Sequence, residues 1–327
     1  MFYNSTVLIT GGTGSWGQEL TKQLLKKNPK KIIIYSRSEL HQVKMIRKFN
    51  NPKLFFSIGD VRDLERLIEC TKKVDYIFHL AALKHVPICE EQPDEAIKTN
   101  INGTKNVIKA AKINNIKKVI DVSTDKAVNP LNLYGMTKAV GERLIIQANL
   151  ESDYTKFVCI RSGNVVGTNG SVIPYFIEQI KRFKKINLTD NRMTRYFLTL
   201  EHAVRLLFKA TEKSYGGEIF VMKMLSCKII NIAKVLIKEI SNNSMPIQEI
   251  GSRPGEKIDE VLVSRYESPN TYQYDENYYV ILPQLKIDGL ENKYKHLSKV
   301  NFEEYSSADK LMSEQEIKEM LKNSKFL

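Results

Sequence analysis

Cysteine is scarce in this chain, and the spacing of its few thiols excludes several kinds of site. The 327 residues include four cysteines, Cys70, Cys89, Cys159 and Cys227. None of them form a Cys-x-x-Cys pair, so the spacing predicts neither a zinc site nor a redox-active dithiol. Free thiols in a reducing compartment, with no bound metal, are the expected state.

Long apolar runs are also missing. No run approaches the ~20 residues needed to span a bilayer. The chain opens with Met1-Phe2-Tyr3-Asn4 and continues directly into a predicted strand, without the apolar segment and cleavage site of a signal peptide. We therefore expect a cytoplasmic protein with no membrane partner.

Clustered positive charge is absent, although the formal net charge is +13. The lysines stand in short pairs, mostly near the ends of predicted helices, where the helix dipole favours cations. No arginine-rich arm, recognition-helix pattern or interleaved aromatic motif accompanies them, so nucleic acid is not predicted as a partner. The excess positive charge favours an anionic small-molecule substrate.

Short apolar runs alternate with helical patterns through the first half of the chain. The predicted strands are Thr6–Thr10, Lys31–Tyr35, Leu54–Ile58, Val74–Leu80, Lys117–Val122 and Phe157–Arg161. The predicted helices are Trp16–Lys27, Glu39–Phe49, Asp63–Cys70, Pro93–Ile113 and Leu133–Asn149. This alternation predicts an α/β fold, a Rossmann-type doubly wound parallel sheet with helices on both faces. The strands read as continuously apolar, as burial on both faces requires.

The pattern loosens in the second half, where glycine and proline separate shorter elements. Further helices are predicted at Ile173–Phe183, Leu200–Thr211 and Ile229–Ile240. Ser313 followed by Glu316 marks the start of a tail helix. We expect residues 1–162 to form a nucleotide-binding Rossmann domain, completed by strands that return from the second half. Residues 163–327 are expected to form a smaller, discontinuous substrate-binding lobe with a docked C-terminal tail.

A polar segment follows the fifth predicted strand. The segment is Ser123-Thr124-Asp125-Lys126. The next predicted helix carries Tyr134 and Lys138 one turn apart on the same face. An ammonium group beside a phenol favours the ionised phenol, which is a base for a substrate hydroxyl. A Tyr-x-x-x-Lys pair alone usually lies on the solvated surface of a helix and has no function. For Asp125-Lys126, the alternative is an ordinary charged turn.

A glycine-rich turn joins the first predicted strand to the first predicted helix. It reads Gly11-Gly12-Thr13-Gly14-Ser15-Trp16-Gly17. Small residues let the backbone approach a pyrophosphate, which the helix N-terminus then stabilises. A simple turn is the alternative, but the position at the first strand–helix junction favours a dinucleotide cofactor.

The residues at the ends of the next three strands indicate which dinucleotide binds and how. Ser36 and Arg37 follow the second strand, and an arginine there suits a 2′-phosphate, so NADP is predicted in preference to NAD. A surface arginine at a helix start is the alternative. After the third strand comes Asp60-Val61, where Asp60 either accepts from the adenine amine or caps the next helix. Ala81-Ala82 after the fourth strand leaves room for the centre of the cofactor.

These motifs together resemble a known family. They are Ile9–Ser15, Gly59–Asp63, Ala81–Pro87, Lys98–Asn100, Ser123–Ala127, Leu133–Gly135, Gly163–Gly167, Arg192–Arg195 and Arg253–Lys257. Over nearly its whole length the chain resembles the extended short-chain dehydrogenase/reductases. Within them it is most similar to the UDP-N-acetylglucosamine 4,6-dehydratases that invert C5, as in pseudaminic acid biosynthesis. Lys126 after Asp125 discriminates this branch, because retaining 4,6-dehydratases typically carry glutamate there.

Three positions depart from the family pattern. Ser162 stands where relatives usually have tyrosine, and Asn169 stands where they usually have arginine. His41 occupies a position where a lysine often supports the 2′-phosphate. The first two bear on the identity of the sugar, and the third weakens the case for NADP. Tyr134 is present, although some relatives lack it, and its presence favours the pseudaminic-type branch.

The resemblance implies an internal oxidation and elimination on the sugar. Tyr134, assisted by Lys138, removes the proton of the C4 hydroxyl while C4 gives hydride to the cofactor, and Thr124 bonds the C4 oxygen. The ketone acidifies the C5 hydrogen, for which Lys126 is the base if its surroundings hold it neutral. Asp125 in its protonated form donates to the departing C6 hydroxyl, although the two residues can exchange or share these roles. Hydride returns to C6, and C5 is protonated from the opposite face.

The resemblance also implies the substrate contacts. Lys84 and His85 are expected in the sugar pocket, with a structural histidine as the alternative for His85. The contacts expected for the UDP moiety are Asn164, Arg195, Arg253, Glu256 and the backbone amides of Gly170-Ser171-Val172. Arginine forks match phosphate oxygens, whereas Asn100 is expected to bind backbone rather than substrate.

Two other functions stay open. A nucleotide-sugar epimerase or reductase of the same superfamily has no need of the pair Asp125-Lys126. A catalytically inactive nucleotide-binding protein is disfavoured by the intact Thr124, Tyr134 and Lys138. Family members self-associate, so a homo-oligomer, a dimer or a hexamer, is expected through the two long helices after the fourth and fifth strands.

Overall fold

The computed structural model describes residues 1–167, 171–241, 244–252 and 254–327. The strands are β1 (Thr6–Thr10), β2 (Lys31–Ser36), β3 (Leu54–Ile58), β4 (Tyr76–His79), β5 (Lys118–Thr124), β6 (Lys156–Ser162), β7 (Asn164–Val166), β8 (Ile186–Leu188), β9 (Thr194–Thr199), β10 (Ile219–Met222), β11 (Leu225–Lys228), β12 (Ile247–Glu249), β13 (Val261–Val263), β14 (Thr271–Gln273), β15 (Tyr278–Ile281) and β16 (Tyr305–Ser306). The α-helices are α1 (Ser15–Leu25), α2 (Glu39–Phe49), α3 (Leu64–Cys70), α4 (Val86–Glu91), α5 (Pro93–Ala96), α6 (Gly103–Ile113), α7 (Leu133–Leu150), α8 (Val172–Phe183), α9 (Leu200–Lys213), α10 (Ile229–Ile240), α11 (Leu290–Tyr294) and α12 (Glu314–Asn323).

The largest sheet confirms the predicted doubly wound arrangement. Nine strands in the described part of the chain pair in the order β3-β2-β1-β4-β5-β6-β10-β15-β14. The neighbours from β3 to β10 run parallel, and β15 and β14 complete the edge in antiparallel pairing. The chain reverses its direction of winding between β1 and β4. In such sheets the crevice at the carboxyl ends of these strands is the ligand site.

Strands β10, β14 and β15 come from the second half of the chain, as the sequence predicts. Because β10 pairs with β6, the two halves share one sheet, and the division at residue 162 stays a prediction. A second core lies under α8 and α10, where Phe176, Ile232 and Leu236 are buried. The tail packs on it through Ile317 and Leu321.

The predicted tail helix is α12, and its start has the predicted signal. The Ser313 hydroxyl accepts from the backbone of Glu316, and the Glu316 carboxylate accepts from the backbone of Ser313. This reciprocal capping box satisfies two backbone donors at the helix start. Among the helices of the described ranges, none is long and apolar enough to cross a membrane.

The predicted helix over Pro93–Ile113 is confirmed in its bounds, but its middle is not α-helical. A π-helical segment, Ile97–Asn102, separates α5 from α6. Within it the Asn100 side chain accepts from the backbone of Leu83 at 2.8 Å and donates to the same residue's carbonyl at 2.9 Å. It also donates to the Thr137 hydroxyl on α7 at 2.9 Å. Asn100 therefore fastens the loop after β4 to α7, as its expected backbone role requires, and π-turns often accompany functional sites.

Candidate functional site

The glycine-rich turn between β1 and α1 lies against the end of β4. Gly11 has φ +64°, and a β-carbon there would lie 3.0 Å from backbone atoms of Ala81. A β-carbon on Gly17 would lie 2.3 Å from the carbonyl oxygen of Gly12. Both positions therefore require glycine, since backbone approaches backbone at each. The first turn of α1 is thereby held at the crevice, where its free N–H groups can receive an anion.

A cavity of about 370 Å³ opens beside this turn. The predicted cofactor residues that line it are Gly11, Thr13, Gly14, Ser15, Trp16, Ser36, Arg37, Asp60, Val61, Ala81 and Ala82. Residues that the sequence did not single out for this cavity include Tyr35, Ser38, Lys84 and Thr99. His41 also lines it, and Gly17 packs behind the turn instead. We call this the nucleotide cavity.

Asp60 is engaged by Arg62 at the rim of the nucleotide cavity. Arg62 donates to its carboxylate from Nε at 2.9 Å and from Nη2 at 2.7 Å. Partial burial raises the pKa of Asp60, but the hydrogen bonds from Arg62 outweigh burial and hold the pKa below its ordinary value. Asp63 caps α3 by accepting from the backbone of Arg66 at 2.9 Å, so the capping alternative for Asp60 is wrong. Arg37 lies 3.9 Å from the Asp60 carboxylate, and its side chain is 56% exposed.

A second cavity, of about 400 Å³, adjoins the first. The two share Trp16, Leu80, Ala82 and Lys84 as walls, so they lie side by side. The predicted residues that line the second cavity are Lys84, His85, Thr124, Lys126, Tyr134, Lys138, Asn164, Ser171, Arg195 and Glu256. Ser162 lines it too. We call this the reaction cavity. Arg253, Asn169 and Gly170 lie outside the described residues.

Tyr134 contacts Thr124 in the reaction cavity. Burial raises the pKa of the phenol, whereas the charges of Lys138 and Lys126 and a hydrogen bond with Thr124 lower it. Burial has the larger effect, so the phenol is neutral without a bound cofactor. Lys138 therefore lowers the pKa of Tyr134, as predicted, but burial raises it by more.

Lys138 is paired with an aspartate that the sequence analysis did not single out. Its ammonium nitrogen lies 3.1 and 3.2 Å from the two carboxylate oxygens of Asp121, and both residues are buried. Burial lowers the pKa of Lys138, but Asp121 and Tyr134 raise it to a net higher value. The available signal was a charged residue inside the otherwise apolar strand β5, where an unpaired carboxylate is costly.

The Lys126 ammonium group lies between two carboxylates. It donates to Asp125 at 3.0 Å and lies 3.2 Å from Glu260. Asp125 is fully buried behind it and also accepts from the Thr124 hydroxyl at 2.9 Å. Burial lowers the pKa of Lys126, but the two carboxylates outweigh it and raise the pKa above its ordinary value. The expectation that the surroundings hold Lys126 neutral is therefore wrong for this arrangement.

Arg195 lines the reaction cavity, but most of its N–H groups donate to backbone carbonyls of the protein. Its Nη1 donates to the carbonyls of Thr194 and Ile258 at 2.7 and 2.9 Å, and its Nη2 donates to that of Lys257 at 2.9 Å. Its Nε lies 3.6 Å from the Glu260 carboxylate. The guanidinium thus positions residues 257–260, and the predicted phosphate contact requires these bonds to rearrange.

Helix α7 lies close to the turn that carries Asp125 and Lys126. A β-carbon on Gly135 would lie 2.1 Å from the carbonyl oxygen of Lys126. Asn132 caps α7 by accepting from the backbone of Gly135 at 2.8 Å, and it donates to the Gly255 carbonyl at 2.9 Å. These contacts set Tyr134 at a fixed distance from Lys126 and attach the second half of the chain to the start of α7.

Comparison with known proteins adds the family. Residues 7–282 match the polysaccharide biosynthesis protein family. The chain is 46% identical to UDP-N-acetylglucosamine 4,6-dehydratase (inverting) of Campylobacter jejuni, over 90% of this chain and 87% of that protein. It is 43% identical to UDP-glucose 4-epimerase of Rickettsia bellii, over 100% of this chain and 98% of that protein. The X-ray structure of Pen from Bacillus thuringiensis superposes with a TM-score of 0.94 at 37% identity, and the match covers 100% of both chains. The resemblance predicted from the motifs is thus confirmed, and the chain belongs to the polysaccharide biosynthesis protein family of extended short-chain dehydrogenase/reductases.

Proposed function

We propose that this protein is a UDP-N-acetylglucosamine 4,6-dehydratase that inverts C5. The observation that carries the proposal is the reaction cavity, in which Thr124, Tyr134 and Lys126 line one space that adjoins the nucleotide cavity. An epimerase needs a base and a rotating sugar, whereas an elimination needs a further group to move protons at C5 and C6. Lys126, backed by Asp125, supplies that group. The product is UDP-2-acetamido-2,6-dideoxy-β-L-arabino-hexos-4-ulose.

The residues of the nucleotide cavity fit a nicotinamide dinucleotide. The close backbone approach at Gly11 leaves room for a pyrophosphate at the start of α1. We propose NADP over NAD, because the exposed Arg37 guanidinium in this cavity suits a 2′-phosphate. A bound nicotinamide would supply the hydride acceptor for C4 of the sugar and the hydride donor for C6. We expect its reactive end in the adjoining reaction cavity, beside Tyr134 and Lys138.

The chain's own residues handle the protons of the oxidation. Tyr134 accepts the proton of the C4 hydroxyl, and Thr124 hydrogen-bonds the same oxygen. The Lys138 ammonium lowers the pKa of the phenol against the larger effect of burial, and the positive charge of an oxidised nicotinamide would add to this effect and favour the phenolate that starts the step. Asp121 keeps that ammonium in place beneath the site.

The elimination falls to Lys126, because it faces the cavity while Asp125 lies buried behind it. The amine gives one proton to the departing C6 hydroxyl and takes one from C5, which the C4 ketone has acidified. The pair therefore ends the loss of water in the charge state in which it began. A proton delivered to C5 from the opposite face then sets the L-arabino configuration.

The test is an incubation with UDP-N-acetylglucosamine and catalytic NADP in deuterated water, followed by mass spectrometry and proton NMR. We expect loss of one water and deuterium at C5 with the L-arabino configuration. Tyr134→Phe should abolish turnover while the nicotinamide cofactor still binds. A product that keeps the substrate's mass would instead establish an epimerase, which the Rickettsia relative makes the second candidate. Loss of water with retained configuration would overturn the inversion.

We also propose a setting and an assembly for this activity. Free thiols at all four cysteines suit the cytoplasm, and the product suits synthesis of surface or flagellin glycan sugars such as pseudaminic acid. Met136 and Val140 stand one turn apart on α7 and are 46% and 42% exposed. This apolar stripe supports self-association through α6 and α7 into a dimer or hexamer. Light scattering of Val140→Glu against the parent chain tests it, with a smaller particle as the expected result.

A further inference from the structure

Glu260 contacts Lys126 but does not line the reaction cavity. It is 2% exposed, and its Oε1 lies 3.2 Å from the Lys126 ammonium nitrogen. Lys126 lines the reaction cavity, whereas Glu260 is not among its walls. Glu260 therefore acts on a substrate only through Lys126.

Both polar backbone groups of Glu260, its N–H and its carbonyl, are hydrogen-bonded to Ser307. Its N–H donates to the Ser307 hydroxyl at 2.9 Å, and its carbonyl accepts from the Ser307 N–H at 2.8 Å. Arg195 fastens the preceding residues and lies 3.6 Å from the carboxylate. Several contacts thus fix the position of the Glu260 side chain beside Lys126.

One oxygen of the Glu260 carboxylate is left over. Oε2 is buried and has no hydrogen-bond partner among the described residues. A buried polar atom without a partner costs about 1–3 kcal/mol, and the large majority of buried polar side-chain atoms in proteins have a hydrogen-bond partner. Retaining a carboxylate here points to a role other than stability.

Lys126 meets charged and titratable groups from every element packed around it. They are Asp125 from its own turn, Glu260, Lys257, Arg195 from β9, Lys84 from the loop after β4 and Tyr134 from α7. We propose that Glu260 is a positioning residue that holds the Lys126 ammonium and keeps it protonated until substrate arrives. This rests on the proposed function, in which Lys126 starts the elimination as a proton donor.

The physical reason lies in the balance of burial against charge. Burial alone lowers the pKa of Lys126, and Asp125 and Glu260 together reverse that effect. Without Glu260, only the Asp125 carboxylate still raises the pKa of Lys126. Burial and the repulsion from Arg195 and Lys84 both lower it. An opposite charge at this distance shifts a titration by about one to three pH units, so Lys126 should lose its proton at correspondingly lower pH.

The experiment measures the Lys126 amine directly. The cofactor-bound protein is labelled with acetic anhydride from pH 7 to pH 11, and acetylated Lys126 is quantified by mass spectrometry relative to the surface lysine Lys117. The variants are Glu260→Gln, the conservative Glu260→Asp and the matched control Asp259→Asn, which removes a charge one residue away where the carboxylate accepts from Thr194. We expect Glu260→Gln to label Lys126 at least about tenfold faster at pH 8, and its curve to level off at lower pH.

Glu260→Asp should move the curve back towards that of the parent, and Asp259→Asn should leave it unchanged. In turnover, the alkaline fall of kcat should move to lower pH in Glu260→Gln alone. An unchanged curve in Glu260→Gln overturns the proposal, and so does an equal acceleration of labelling at Lys84, which lines the same cavity, since greater exposure explains that result. If the curve moves but the parent chain does not dehydrate UDP-N-acetylglucosamine, the positioning role stands and the proposed function fails.

Discussion

The Arg161 side chain at the end of β6 is 1% exposed and holds two glutamates from distant parts of the chain. Its Nε and Nη2 donate to Glu142 at 3.0 and 2.6 Å, and its Nη1 and Nη2 donate to Glu267 at 3.1 and 3.0 Å. A fifth bond, of 2.8 Å, reaches the Leu262 carbonyl. Glu142 also accepts from Ser123, beside the polar segment of the site, at 2.6 Å. This network therefore ties β5, β6, α7 and the second half of the chain together.

Replacing Arg161 with methionine keeps the length of the side chain and removes its charge. Glu142 then remains buried without its counter-ion, and the partly exposed Glu267 loses its counter-ion as well. Removing one partner of a buried ion pair costs about 3–5 kcal/mol, and two carboxylates depend on this one. We expect Arg161→Met to lose at least ~3 kcal/mol of unfolding free energy, a large share of the ~5–15 kcal/mol typical of a domain.

Urea unfolding at a fixed concentration of cofactor measures this loss, because bound ligand adds to apparent stability. The triple variant with Glu142→Gln and Glu267→Gln added should recover much of the loss, since replacing a whole buried ion network is often nearly neutral. A single variant that loses less than ~1 kcal/mol would refute the reasoning. So would a triple variant no more stable than the single one.

Three further predictions follow from the site. Gly135→Ala should lower turnover far more than it lowers stability, because its β-carbon meets the Lys126 carbonyl oxygen at 2.1 Å; Gly141→Ala on the same helix, with 4.0 Å of clearance, should be harmless in paired kcat and urea measurements. Asp121→Asn should reduce kcat on the order of 10- to 100-fold at neutral pH, because the buried ammonium facing it loses its counter-ion; unchanged kcat with full cofactor retention would contradict this. Burial lowers the pKa of His79 to about 4, below the ordinary 6.5, so the folded chain binds fewer protons than the unfolded one between these values. Stability is fully present above pH ~6.5 and should fall by about 3 kcal/mol towards pH ~4, and urea unfolding should show a smaller fall in His79→Asn.

Much of the sheet could be predicted because its signals are local. The strands Thr6–Thr10 and Leu54–Ile58 and the helices Glu39–Phe49 and Ile229–Ile240 have the predicted bounds. In each, the apolar spacing and the flanking turn residues lie within a few positions of the element itself. The cofactor turn was found for the same reason, since the glycines and the backbone they approach belong to adjacent elements.

What could not be predicted depends on partners far along the chain. Within the π-helical segment Asn100 binds both Leu83 and Thr137, and no periodicity in the segment's own residues indicates those contacts. The charge state of Lys126 depends on Glu260, which arrives from the second half of the chain. The contact of Arg195 with the UDP moiety, expected from its residue type and from the family resemblance, stays a prediction, and the sequence did not indicate that its guanidinium donates to nearby carbonyls.

The pairing of β6 with β10 has a consequence for how the chain is made. A ribosome adds about 5–20 residues per second, so the edge of β6 waits on the order of several seconds before Ile219–Met222 emerges to cover it. During that interval a row of unpaired backbone groups flanks side chains that end up in the core, a template for misassociation between nascent chains. Synthesis halted before β10 should therefore give aggregated fragments. The first half of the polypeptide is protected from such association only after the second half has supplied β10.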